Sequence, residues 1–122
     1  MPTPASPLLL AWPRRFLAAV AVAAVLTPAY ARADVYDDGF ARSREAEARG
    51  DLAAAAAALA PLVAAYPQDY DVALQLGWIE LRRGRYAAAE TAYREAIARS
   101  PVAEDAHRGL VTALDRQGRC AE

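Results

Sequence analysis

The chain predicts an all-α fold, a solenoid of antiparallel helix pairs, and three observations lead there. Gly50, Gly84 and Gly118 stand 34 residues apart, Pro67 and Pro101 keep the same spacing, and so do Asp37, Asp71 and Asp105. Alanine and arginine dominate, while isoleucine, valine and the aromatics are too sparse for a sheet of many strands. Each of the three glycines also separates a charged run from an Ala-rich or small-residue one, in EARGDLAAA, LRRGRYAAA and DRQGRCAE. That is the pattern of one helix stopping at a left-handed residue and another starting. Stacked helix-turn-helix units of this length bury their apolar faces only against their neighbours.

Residues 1–33 are set apart as an export signal. Arg14 and Arg15 supply its positive start, Phe16 to Leu26 is an uncharged apolar run, and TPAYARA offers small residues at cleavage spacing. Cleavage after Ala31 or Ala33 fits. The uncharged stretch from Phe16 to Ala31 is 16 residues long and holds Pro28, short of the roughly 20 apolar residues a spanning helix takes. A removed signal and a periplasmic location are therefore expected, with a retained inner-membrane anchor as the alternative. The arginine pair is ordinary for such a segment and is not read as a twin-arginine signal.

The remainder, 34–122, divides into units 36–69, 70–103 and an incomplete 104–122. Helices are expected near 36–49, 53–66, 70–83, 86–99 and 103–117. In the middle unit Ala73, Leu76, Gly77 and Glu80 recur at i, i+3, i+4 and i+7, and Ala89, Tyr93 and Ala96 stripe the second helix. Small residues facing large ones let two helices cross tightly, with Gly77 the closest point of approach. Pro61, well inside the second helix of the first unit, is expected to kink or shorten it.

The stretch YDVALQLGWIELRRGRYAAAETAYREAIARSPVA, Tyr70 to Ala103, resembles the tetratricopeptide repeat. Leu76-Gly77 stands at that family's Leu-Gly pair, Gly84 and Tyr86 at its turn, Ala89, Tyr93 and Ala96 at its second-helix packing positions, and Pro101 at its closing proline. Ala73 and Glu80 depart from it where Trp and Tyr are common, and Arg42 stands in the first unit where Leu is expected. The resemblance implies a module that binds extended or helical peptides on the concave face of its first helices. Laid under GRYAAAE, the closing GRCAE puts Cys120 at the place of Tyr86, as a helix-start packing residue, and Glu122 only a few residues into a second helix. The ending thus reads as an interruption within a repeat.

Charge and residue types narrow the function. Beyond residue 33 there are 11 arginines against 15 carboxylates, a balance of −4 with His neutral. An acidic balance disfavours nucleic acid. One cysteine gives no internal disulfide, and one histidine with scattered carboxylates gives no catalytic or metal constellation. No enzyme, cofactor or metal is expected. His107 is read as a helix-packing residue, and a small Cys120/His107 hydrolase or redox protein is the minor reading. Asp37, Asp71 and Asp105 are read as first-turn carboxylates that complement the helix dipole, with an acidic rail for a basic peptide as the alternative.

A second apolar stripe, Leu74, Trp78 and Leu81, with Phe40 one period before Leu74, is read as a groove for a partner. Trp78 filling the gap between adjacent units is the competing role. Arg82, Arg108 and Arg116 flank the stripe. With no Lys and no Asn in the chain, the family's clamp for a C-terminal carboxylate is not expected. The sequence therefore reads as an exported scaffold or assembly module of the cell envelope that holds a protein or peptide. The alternative is the N-terminal part of a larger secretion or outer-membrane protein.

Overall fold

The computed structural model describes residues 32–119. Most of the expected export signal lies outside them, and so do Cys120 and Glu122. Five α-helices follow one another in the described residues: α1 (residues 32–48), α2 (Leu52–Ala65), α3 (Tyr70–Arg82), α4 (Tyr86–Arg99) and α5 (Glu104–Arg116). Helices adjacent in sequence pack together, and α3 also touches α5. That connectivity is the helix-pair solenoid which the spacing predicts.

One local device, repeated three times, makes the period. Gly50, Gly84 and Gly118 have φ of 76°, 76° and 71°. At the middle turn Gly84 N–H donates to the Leu81 carbonyl at 3.1 Å and Arg85 N–H to the Glu80 carbonyl at 2.9 Å. The same pair of bonds recurs from Gly50 and Asp51, and from Gly118 and Arg119. This is the Schellman closure, which satisfies carbonyls that a helix end leaves open and requires a left-handed residue.

Helix starts are secured by carboxylates other than the periodic ones. Asp51 and Asp69 are the N-caps of α2 and α3, each accepting from a backbone N–H at 3.0 Å, from Ala54 and Val72 respectively. Asp71 and Asp105 do lie in first turns. Asp37 does not, because α1 already runs from residue 32. α5 starts at Ala103 without a side-chain cap, and His107 serves that turn instead, its Nε2 2.7 Å from the Pro101 carbonyl oxygen. His107 is exposed, so the packing role expected for it is not the one it has.

α2 is apolar along its whole length and buries only Ala55, Leu59 and Leu62. Pro61 lies on its exposed side and does not shorten it, since the helix has 14 residues, the same as α4. The lost N–H would have bonded toward Ala57, which also faces solvent, where water replaces the missing donor. The first core joins Ala46, Ala55, Leu59, Leu62, Val72 and Ile79, and a second forms around Ala89, Tyr93 and Ala113. Arg42 stands outside both, paired with Asp38 at 3.0 Å on the surface of α1.

The middle unit closes as its small-against-large pattern predicts. Gly77 and Glu80 are buried, and so are Ala89, Tyr93 and Ala96. A Cβ on Gly77 would stand 2.9 Å from Tyr93 Cδ1 and Cε1, closer than carbon atoms approach. Glu80 is tolerated inside because Arg83 and Arg85 reach its two oxygens at 2.9 and 3.4 Å. A buried carboxylate needs such partners.

Side-chain acceptors tie the helices laterally. Glu47 of α1 accepts from Gln75 and Arg82 of α3 at 2.5 and 2.9 Å. Glu90 of α4 accepts from Arg94 at 3.0 Å on its own helix, and from Gln117 and Arg119 beyond α5 at 2.9 and 2.8 Å. Hydrogen bonding from Gln117 and then Arg94 holds the Glu90 carboxyl below its usual range.

Two outcomes follow. Gly84→Ala lowers stability by about 1 to 2 kcal/mol and the melting temperature by several degrees, because the turn needs positive φ while space around the Cβ is open; an unchanged melting temperature would contradict the turn assignment. A folded pKa below the ordinary 4.5 means that the Glu90 contribution is present above that pH and fades as pH falls through the lowered value. Glu90→Gln therefore loses stability at neutral pH and shows a shallower acid limb in urea unfolding followed from pH 7 to well below 4.5.

Candidate functional site

The first helices of the second and third units, α3 and α5, lie side by side, and a groove of about 440 Å³ opens between them. Leu74, Gln75, Trp78 and Leu81 come from α3, and Asp105, Arg108, Gly109 and Thr112 from α5. These positions are spaced by three or four residues on each helix, which puts them on one face. The Tyr93 ring reaches between the two helices from α4 and also lines the groove. A Cβ on Gly109 would collide with Tyr93 Cε1 and Cζ, so the tip of the ring lies against α5.

Of the six residues expected in a partner groove, Leu74, Trp78, Leu81 and Arg108 line it together. Trp78 is 49 % exposed, so packing between the units does not consume it. Arg82 stands at its edge, with its guanidinium 5.8 Å from the Trp78 ring centroid and bound to Glu47. Phe40 is apart from the groove: it packs on the first core, its ring 4.9 Å from that of Tyr36. Arg116 lines a separate surface hollow on the outer flank of α5, with Leu110, Val111 and Leu114.

Gln75, Tyr93, Gly109 and Thr112 were not expected in the groove. Tyr93 carries a packing signal in the sequence, and Gly109 carries none, since it follows Gly77 by 32 residues and falls off the period.

Electrostatically the groove is close to balanced. Asp105 and Arg108, both exposed on α5, have opposite sign, and the Arg108 contact with Glu104 is loose at 3.8 Å between well-exposed groups. Gln75 and Arg82 are committed to Glu47. The acidic character lies at the helix starts: Tyr70 is raised by burial and then by Asp105 and Asp71. Tyr36 is pushed up to about 12 by burial, then Asp69 and Asp71, and its hydroxyl donates to Asp69 at 3.3 Å.

Among the described residues no group of three or more His, Cys, Asp or Glu is placed to hold a metal ion, and no helix is long and apolar enough to cross a membrane. The arrangement offers apolar contact, an aromatic edge and a few hydrogen-bonding groups, which is the chemistry of holding another chain.

The sequence model of the tetratricopeptide repeat family matches residues 40–104 and again 74–122. The two matches start one period apart, at Phe40 and Leu74, so each pairs a unit with the next. No significant match was found among curated proteins or among solved structures. Tetratricopeptide repeats mediate protein–protein interaction and scaffolding and are typically without enzymatic activity. With helix pairs, turns and repeat matches in agreement, the chain belongs to the tetratricopeptide repeat family.

Proposed function

We propose that this protein is an exported interaction module of the cell envelope, and that it holds a peptide segment of a protein partner in the groove between α3 and α5. The observation that carries this reading is Trp78, half exposed on the rim of a groove between first helices that is apolar on its α3 side. An aromatic side chain left in solvent beside Leu74 and Leu81 is the kind of anchor that dominates binding energies. The acidic balance beyond residue 33 argues for a protein partner over a nucleic acid.

Export rests on residues 1–33, whose positive start, apolar run and small-residue end form a signal. A retained signal would instead fix the module to the inner membrane. The outer flank of α5, with Val111 66 % exposed beside Leu110, also fits a repeat array that continues. In that reading the domain is the N-terminal part of a larger secretion or outer-membrane protein, with the same groove at work.

Two measurements test the proposal. The N-terminus of the protein recovered from the periplasmic fraction is expected at Arg32 or Asp34; an intact Met1 in the membrane fraction would instead indicate the anchor. Trp78→Ala is expected to reduce capture of a bound envelope protein at least tenfold, about 1.4 kcal/mol or more, with helical circular dichroism unchanged. Undiminished capture by the variant would remove the groove from the mechanism.

A further inference from the structure

The floor of the groove is the Tyr93 ring, 2 % exposed and held between Gly77 and Gly109. Among the described residues its hydroxyl makes no hydrogen bond to another side chain or to the backbone. The hydroxyl is carried by Cζ, the end of the ring that meets Gly109 on the groove wall. Among the described residues the sealed side-chain atoms without a hydrogen bond are Ser43 Oγ and Glu80 Oε2, the latter ion-paired with Arg85, and the Tyr93 hydroxyl is not one of them, so it retains access to the groove. A phenol at the base of a groove with no protein partner is met by water or by a polar group of whatever fills the groove. Packing alone does not call for it, because Leu59 fills the corresponding place one unit earlier with no polar atom at all.

We propose that the Tyr93 hydroxyl is the polar reader of this groove, donating a hydrogen bond to a main-chain carbonyl of a bound peptide whose apolar side chain lies against Leu74, Trp78 and Leu81. The inference rests on the groove being the partner site. Charge complementarity selects the occupant. Asp105 and Arg108 balance one another on α5, and Arg82 is bound to Glu47, so the groove presents little net charge and suits an uncharged, apolar stretch of peptide. Burial pushes Tyr93 up to about 12, which keeps the phenol a neutral donor at physiological pH and agrees with this role. The missing Cβ of Gly109 is the space that the ring tip fills, and this sets the Cζ end of the ring directly against α5 at the groove wall.

The test uses the full-length mature protein and a phage-displayed library of random linear peptides as the probe. Peptides enriched on the wild-type protein are synthesised with both ends capped and titrated against wild type, Tyr93→Phe and Trp78→Ala. The expected result is apolar, weakly charged peptides that lose affinity about five- to tenfold on Tyr93→Phe. The melting temperature of that variant stays equal to or above wild type, since the ring is kept and an unpaired hydroxyl is removed. Equal affinity for wild type and Tyr93→Phe, with binding still lost on Trp78→Ala, overturns the hydroxyl role and leaves the groove in place. Enriched peptides that bind Trp78→Ala as well as wild type, or no enrichment over a blank surface, overturn both. If affinity depends on Tyr93 only while one Asp or Glu of the peptide is present, the acceptor is a carboxylate and the main-chain assignment falls.

Discussion

Tyr93 meets Gly77 on one side and Gly109 on the other, and this wedge sets the distance between α3, α4 and α5. Glycine inside a helix costs about 1 kcal/mol relative to alanine, and the chain carries that cost twice around one ring. Deleting a buried aromatic side chain costs about 3 to 5 kcal/mol, so a fully used Tyr93 offsets both glycines. The first unit solves the same crossing differently. Leu59 replaces the tyrosine and Ser43 the glycine at positions one period earlier, while Gly39 makes room for Leu62. A small residue opposite a large one recurs, and in the middle unit the large one is a ring that also forms the floor of a surface groove.

Sequence alone made the architecture legible because the features that set the period are local. Positive φ at Gly84 and the closing bonds around it depend on a handful of consecutive residues, so a glycine every 34 residues implies the same turn three times. Asp51 and Asp69 are equally local signals, each an aspartate directly before a helix, although they are not the aspartates that keep the 34-residue spacing from Asp37 to Asp71 and Asp105. Pro61 leaves α2 at its full 14 residues. A rule about helix interiors assumes that the carbonyl left behind is sealed, and on an exposed turn of α2 it faces water.

The groove was half legible for a related reason. Leu74, Trp78 and Leu81 share a helical face, which spacing reveals, whereas Tyr93 and Gly109 join them only through contact between helices. Phe40 occupies the position of Leu74 one unit earlier, but periodic equivalence does not carry its surroundings with it. Arg44 and Glu47 stand there in place of Trp78 and Leu81, and the Phe40 ring turns to Tyr36. Phe40 and Leu74 each pack on the core of their own unit, and what differs is the neighbours, since Trp78 lines a groove beside Leu74 and its counterpart Arg44 does not.

Charge is distributed so that it fastens helices and leaves the groove nearly neutral. All the basic residues are arginine, whose planar fork serves several acceptors at once. Arg82 reaches back to Glu47 on α1, Arg83 and Arg85 cover the buried Glu80 at the turn, and Arg119 reaches Glu90 on α4. None of these carboxylates lines the groove, and each has its guanidinium. What remains open toward the groove is one arginine and one aspartate on α5, an indole edge, two leucines and a phenol. Long-range electrostatic steering needs an uncompensated field. A surface whose charges balance selects its ligand at short range, by apolar shape and by single hydrogen bonds.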